Sequence, residues 1–381
     1  MTYYGWLTEG SAFAQKPLLG KWSRDYVLDA LKGVEIIEKP EQLSGKRADL
    51  VIVIREDVPC ITLEDCNRLM NGAKKQPQIF RDMETDQILA MTMNGELAAR
   101  LTGGAASLPS LPELEKRLEK TGVFAAEWPP ESEAEDEDED EVPCLTFPLD
   151  SAGAFSAAYN ELNQRNIARH EQNGVIFLAP EQTIVESDVV IAPGVMVYPG
   201  NTLQGSTRIG ADCVLYPNNR LSNAVVGRGT TIESSVLLNC AVGEETTVGP
   251  YAYLRPDTNV GSRCRIGDFV EIKNSSIGDG TKVSHLTYVG DSDLGRDINL
   301  GCGVVFVNYD GKVKNRSKVE DHAFIGCNCN LVAPVHVGKN AYLAAGSTVV
   351  EDVPEDALFV ARSRGVVKED WVKRRKEAGK L

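Results

Sequence analysis

Cations are the minority charge in this chain: 40 Lys and Arg stand against 55 Asp and Glu, a formal net charge of −15 over 381 residues. That balance argues against nucleic acid as a main partner. No stretch approaches the roughly 18 consecutive apolar residues of a membrane-spanning helix. The opening Met-Thr-Tyr-Tyr-Gly-Trp has neither the basic head nor the apolar run of a signal peptide, so a cytoplasmic protein without a membrane partner is expected. The nine cysteines are odd in number, scattered and without a C-x-x-C pair, which excludes a disulfide framework and offers no zinc spacing; reduced thiols are expected. Histidine is scarcer still, at 170, 285, 322 and 336 only, so each can be weighed singly.

More than half of the acidic excess sits in one place. Glu131 to Glu141 holds nine acidic residues, the composition of a solvated loop, with a charged docking segment as the alternative. The rest is ordinary: 42% hydrophobic residues supply material for a core, and the length suffices for two domains.

What the chain does have is a period of six. Between Ile191 and Val349 an apolar residue recurs at every sixth position, usually followed by Gly or a small polar residue. The register runs Ile191, Val197, Leu203, Ile209, Leu215 and Leu221, slips by one, and resumes at Val226 and Ile232. It continues from Val242 to Ile272, from Ile277 to Val289, from Leu294 to Phe306 and, after a break, from Val319 to Val349. Such a period fits neither a helix nor an alternating strand. Three short strands per turn of a prism produce it, each sending one residue inward while Gly takes the corner. A β-helix of hexapeptide repeats is therefore expected over 174–365, each turn taking about 18 residues and rising about 4.8 Å. The thirteen-residue interval from Phe306 to Val319 must expel Val307 to Lys318 as a loop, and insertions of this kind usually lie on a binding face.

Residues 1–173 have the pattern of an α/β unit. Asp49 to Ile54 predicts a buried parallel strand followed by a helix from near Thr62, and further helices are expected at Tyr26–Leu31, Leu111–Thr121 and Ala154–His170. Ser110 and Glu113 stand at capping-box spacing before the third of these. Residues 366–381 form a basic tail carrying Lys368, Lys373, Arg374, Arg375 and Lys376.

His285 lies in Ser284-His285-Leu286-Thr287-Tyr288-Val289-Gly290-Asp291, about one coil before the extruded loop. Arg255 and Lys273, 18 residues apart, should stack on one face in the coils just before it. Two cations one strand spacing apart repel unless a carboxylate such as Asp257 or Glu271, or a bound anion, bridges them; a phosphate site and a solvated basic patch both satisfy this. His322 and His336 belong to other coils and make no close pair, so no catalytic metal is expected between them.

Several segments together go beyond the generic repeat: Tyr253-Leu254-Arg255-Pro256, Gly267 to Lys273, Ser284 to Asp291, Asn299 to Gly303, Val307 to Gly311 and Leu331 to Val335. In these, residues 174–376 resemble the acetyltransferase half of the bifunctional N-acetylglucosamine-1-phosphate uridyltransferase/glucosamine-1-phosphate N-acetyltransferase family. The resemblance implies a left-handed parallel β-helix that forms a homotrimer and acetylates glucosamine 1-phosphate with acetyl-CoA. It implies that His285 is the general base and that Arg255, Lys273, Tyr288, Asn299 and Lys314 hold the sugar phosphate. Cys302, Asn308, Tyr309, Cys327, Ala345 and Arg362 match positions that contact acetyl-CoA. A sugar-phosphate-sensing scaffold, and acetylation of another amino sugar phosphate, remain as alternatives.

Residues 1–173 resemble the uridyltransferase half of that family only in fragments: Lys16 to Lys21, Tyr26 to Leu31, Asp57 to Thr62 and Tyr159 to Leu162. The resemblance places Asp57 and Asn160 as Mg²⁺ ligands, should the site survive. Gly5 to Gln15, however, contains no Gly-rich loop to cradle a triphosphate, so a degenerate nucleotidyltransferase-like domain is expected, with retained uridyltransferase activity as the alternative.

Overall fold

The computed structural model describes residues 3–38, 42–43, 49–82, 87–102, 107–123, 125–128 and 148–381; the acidic run 131–141 and Cys144 lie outside them. The chain divides into two compact units, Met1–Ala168 with Val185–Ser187, and Arg169–Ile184 with Asp188–Leu381. The break falls inside a helix, a few residues before the boundary expected at 173/174.

The first unit is built on a six-stranded sheet ordered β2-β1-β3-β5-β4-β6. Its strands are β1 (Tyr3–Thr8), β2 (Glu35–Ile36), β3 (Leu50–Arg55), β4 (Gln78–Arg81), β5 (Ile88–Asn94) and β6 (Ala126–Trp128). The helices are α1 (Ser23–Ala30), α2 (Leu63–Gly72), α3 (Gly95–Thr102), α4 (Leu111–Glu119) and α5 (Ala152–Gln172). β3 is parallel to β1, as expected, but antiparallel to β5 on its other side. Its unbroken apolar run has a simpler cause: both faces are covered. Val51 and Val53 join Trp6, Met91 and Met93 on one side, while Leu50, Ile52 and Ile54 pack with Val27, Ile61 and Leu69 on the other. Capping boxes begin two of the helices, Thr62 with Asp65 on α2 and Ser110 with Glu113 on α4.

The second unit is a parallel β-helix with walls of eleven, ten and nine short strands. The first wall contains Arg265–Asp268, Lys282–His285 and Asn299–Leu300; the second, Glu271–Lys273 and Tyr288–Gly290; the third, Ser276–Ile277 and Ser292–Leu294. Every residue of the six-residue register is buried, each contributing about 1.5–3 kcal/mol by leaving water. The register needs two corrections. Leu237, which the period skipped, is fully buried as the inward residue of Val236–Leu238, reached from Ile232 by a five-residue stride. The expelled segment is narrower than 307–318, because Val305–Val307 and Ser317–Val319 both stay in their walls.

All eight described cysteines are free. Cys213, Cys240, Cys264 and Cys329 are core residues, and burial pushes the Cys240 thiol up to about 12. None of the described helices is long and apolar enough to cross a membrane. The basic tail contains a short exposed helix, Trp371–Glu377.

Candidate active site

His285 ends a strand of the first wall, and its imidazole stands half-exposed at the corner that leads to the second wall. Its Nδ1 lies 2.5 Å from Asp268 Oδ1, one coil earlier and directly in register. The hydrogen bond to this ring holds the Asp268 carboxyl below the usual carboxylate range. Asp268 is a partner of the candidate base that the sequence argument missed.

The first wall pairs Val283 with Leu300, Leu300 with Ile325 and Ile325 with Leu343. Two residues further along each strand, His285, Cys302, Cys327 and Ala345 therefore follow one another along a single ridge. Backbone hydrogen bonds confirm the spacing, Asn328 N to Cys302 O at 2.8 Å and Gly346 N to Cys327 O at 2.8 Å. The Arg362 guanidinium closes the ridge by donating to Ala345 O at 3.1 Å. Gly301 and Gly326 at these corners have no room for a side chain: a Cβ on either would lie 2.5 Å from the backbone nitrogen of the next coil.

The cations gather at the other edge of the second wall. Leu254 pairs with Ile272, which brings Arg255 and Lys273 side by side on adjacent coils. Arg255 reaches Glu271 at 2.8 Å, one of the carboxylates expected to bridge it. The neighbouring Lys314 ammonium, brought in by the extruded loop, lowers the Lys273 pKa, and partial burial adds to the effect. Asp291 is the anion at this corner. Asn274 and Asn308, each one coil away, both donate amide hydrogens to it. Burial pushes the Asp291 carboxyl up, but these amides together with Lys273 and Lys314 outweigh burial and hold it below the usual range. Tyr288 Oη lies 3.4 Å from Asn308 Nδ2, and its ring crosses the face of Gly290, where a Cβ would clash.

The loop 308–316 is a compact hairpin. Asp310 Oδ1 accepts from Lys312 N and Val313 N, both at 2.8 Å, and Asn315 N donates to Asn308 O at 2.7 Å. Arg316 clamps its base to Asp293 by a forked ion pair. Tyr309, paired with Lys314 across the hairpin, is exposed.

Within one chain, then, Arg255, Lys273, Tyr288, Asn308 and Lys314 come together, while His285 shares its ridge with Cys302, Cys327, Ala345 and Arg362. The two groups flank the second wall, separated by a three-residue strand, on the order of 10 Å. The cations therefore stand across the second wall from the imidazole. Asn299 belongs to neither group, lying on the first wall between Lys282 and Phe324.

His322 and His336 face Asp297 and Glu320 separately. Among the described residues no cluster of three metal-ligating side chains occurs. Mg²⁺ does not fit at Asp57 either. That carboxylate is completely buried, and both its oxygens are taken: Arg55 Nε and Nη2 donate at 2.8 Å each and Ser11 N donates at 2.8 Å. A guanidinium already occupies the space beside it that a cation would need. Asn160 is exposed on α5.

No family model matches the chain. Among curated proteins, the bifunctional protein GlmU of Clostridium acetobutylicum is 53% identical over 211 residues, which is 55% of this chain and 46% of that protein. The bifunctional protein GlmU of Clostridioides difficile strain 630 is 49% identical over 229 residues, 60% of this chain and 50% of the relative. Among solved structures, the UDP-N-acetylglucosamine acyltransferase of Francisella novicida overlaps 52% of this chain and 73% of its own at 19% identity and a TM-score of 0.33, an overlap too slight to carry weight. The chain spans about half the length of the curated relatives it matches, and over that span it is similar to the bifunctional protein GlmU of the clostridia.

Proposed function

We propose that the β-helix catalyses acetyl transfer from acetyl-CoA to the amine of glucosamine 1-phosphate, giving N-acetylglucosamine 1-phosphate for UDP-N-acetylglucosamine and cell-wall synthesis. The observation that carries it is an exposed imidazole hydrogen-bonded to a carboxylate, at the head of a ridge of small residues and next to a wall edged by three cations. The amine must lose a proton to attack a thioester carbonyl, and a neutral imidazole is suited to accept it near physiological pH. His285 is that base. Lys273, Lys314 and Arg255 bind the phosphate and convert the encounter into an effectively intramolecular reaction. The ridge from Cys302 to Arg362, with Asn308 and Tyr309, receives acetyl-CoA, and backbone N–H groups along the coil turns stabilise the developing oxyanion.

The working form is a cytoplasmic homotrimer, and Asn299 belongs to the sugar-phosphate set although it stands apart from the cations within one chain. The first unit is a degenerate nucleotidyltransferase-like domain without metal-dependent activity, supported by the sealed Asp57.

Thiol release from acetyl-CoA, measured with glucosamine 1-phosphate beside glucosamine 6-phosphate, tests the assignment. Turnover with the first alone is expected. His285→Ala should lower kcat by about 10²- to 10⁴-fold without unfolding the chain, since the side chain is half-exposed. Near-normal turnover in that variant removes His285 from the mechanism.

A further inference from the structure

We propose that Asp268 is a positioning residue for the acetyl transfer: its carboxylate fixes the His285 ring with the proton on Nδ1 and leaves Nε2 as the bare, basic nitrogen. The first half of this follows from hydrogen-bond chemistry alone, and only the catalytic consequence rests on the function proposed above. An ionised carboxylate accepts and cannot donate. At 2.5 Å from Asp268 Oδ1, His285 Nδ1 must therefore be the donor, and the neutral ring has its lone pair on Nε2. An unaided imidazole divides its proton between the two nitrogens, so a fixed partner decides which nitrogen is the base.

The backbone holds the pair rigidly. Asp268 and His285 are register partners on adjacent coils, and Leu286 N donates to Asp268 O at 2.9 Å. Each is followed at once by a bulky residue in the left-handed region, Phe269 at φ 55° and Leu286 at φ 46°. Such a conformation costs about 1–3 kcal/mol for a non-glycine residue and persists where surrounding structure imposes it. Two consecutive coils thus turn the same sharp corner and direct both side chains onto one ridge. Thr287 Oγ1 donates to the His285 carbonyl at 2.7 Å, which ties down the backbone just after the imidazole.

The test uses the full chain labelled with ¹⁵N-histidine. With only four histidines, the His285 ring signals are assigned by their loss in His285→Gln. In the native protein the neutral ring is expected to carry its proton on Nδ1; in Asp268→Ala the proton should shift substantially to Nε2. In parallel, kcat should fall about 10- to 100-fold in Asp268→Ala, less than the whole loss in His285→Ala, with KM for acetyl-CoA within about threefold. Asp268→Asn keeps the shape, removes the charge and guards against a folding failure; its kcat should fall as well. A native ring protonated on Nε2 overturns the proposal, as does an Asp268→Ala enzyme that keeps its kcat within twofold. Failure of the acetyltransferase assignment itself is distinguished by the ring spectrum, which needs no substrate.

Discussion

Removing the Lys273 ammonium separates phosphate binding from chemistry. Arg255 is already engaged by Glu271 at 2.8 Å, so part of its charge is spent before any ligand arrives. Lys273 and Lys314 face each other as like charges, with Asp291 nearby but held by the amides of Asn274 and Asn308. A dianion bridging the two ammonium groups relieves their repulsion as it binds. A hydrogen bond to a charged group contributes about 1.5–3 kcal/mol. At about 1.4 kcal/mol per decade, Lys273→Ala should raise KM for glucosamine 1-phosphate about 10- to 150-fold while kcat changes little. Arg255→Ala should have a smaller effect, because its loss also frees Glu271. The pH dependence has a definite sign. Lys273 is depressed by Lys314, so KM should begin to rise on the alkaline side below the ordinary lysine range near 10.4. In Lys314→Ala that alkaline limb should move to higher pH. Steady-state thiol release over a pH series reads all of these quantities. A Lys273→Ala enzyme with unchanged KM, or with its whole loss in kcat, refutes the phosphate role.

In the first unit, Arg55→Ala strands a completely buried carboxylate and should cost about 3–5 kcal/mol, seen in chemical denaturation; a loss below about 1 kcal/mol would show that Asp57 does not depend on Arg55. At the loop corner the depressed Asp291 carboxyl lends stability that is fully present above the ordinary value near 3.9 and lost as pH falls through the depressed one. The protection of the Asn315 amide from exchange, relative to an unstructured amide at the same pH, should therefore fall only below about pH 4 in the native chain, whereas Asp291→Asn should lower it already at neutral pH. Unchanged exchange in that variant would detach the loop from Asp291.

The β-helix was legible because its period is a packing requirement: each strand sends one residue inward, and a polar side chain there would be stranded without water. The site was legible only in part. His285, Arg255 and Lys273 stand out by scarcity or by spacing, whereas Asp268 does not. A uniform stride of 18 aligns His285 with Gly267; the actual stride is 17, because the third wall is reached from Ile272 to Ile277 in five residues. Leu237 escaped for the same reason.

What the amino-acid order determined by itself was which residues lie inside the prism, since burial is set by local periodicity. What only the tertiary structure decided was which coil meets which at the corners: that Asp268 faces His285, that the cations stand across the second wall from the imidazole, and that Arg55 seals Asp57. Those pairings depend on small changes of stride and on the path of the loop 308–316, which accumulate along the chain and become contacts only when the coils are stacked.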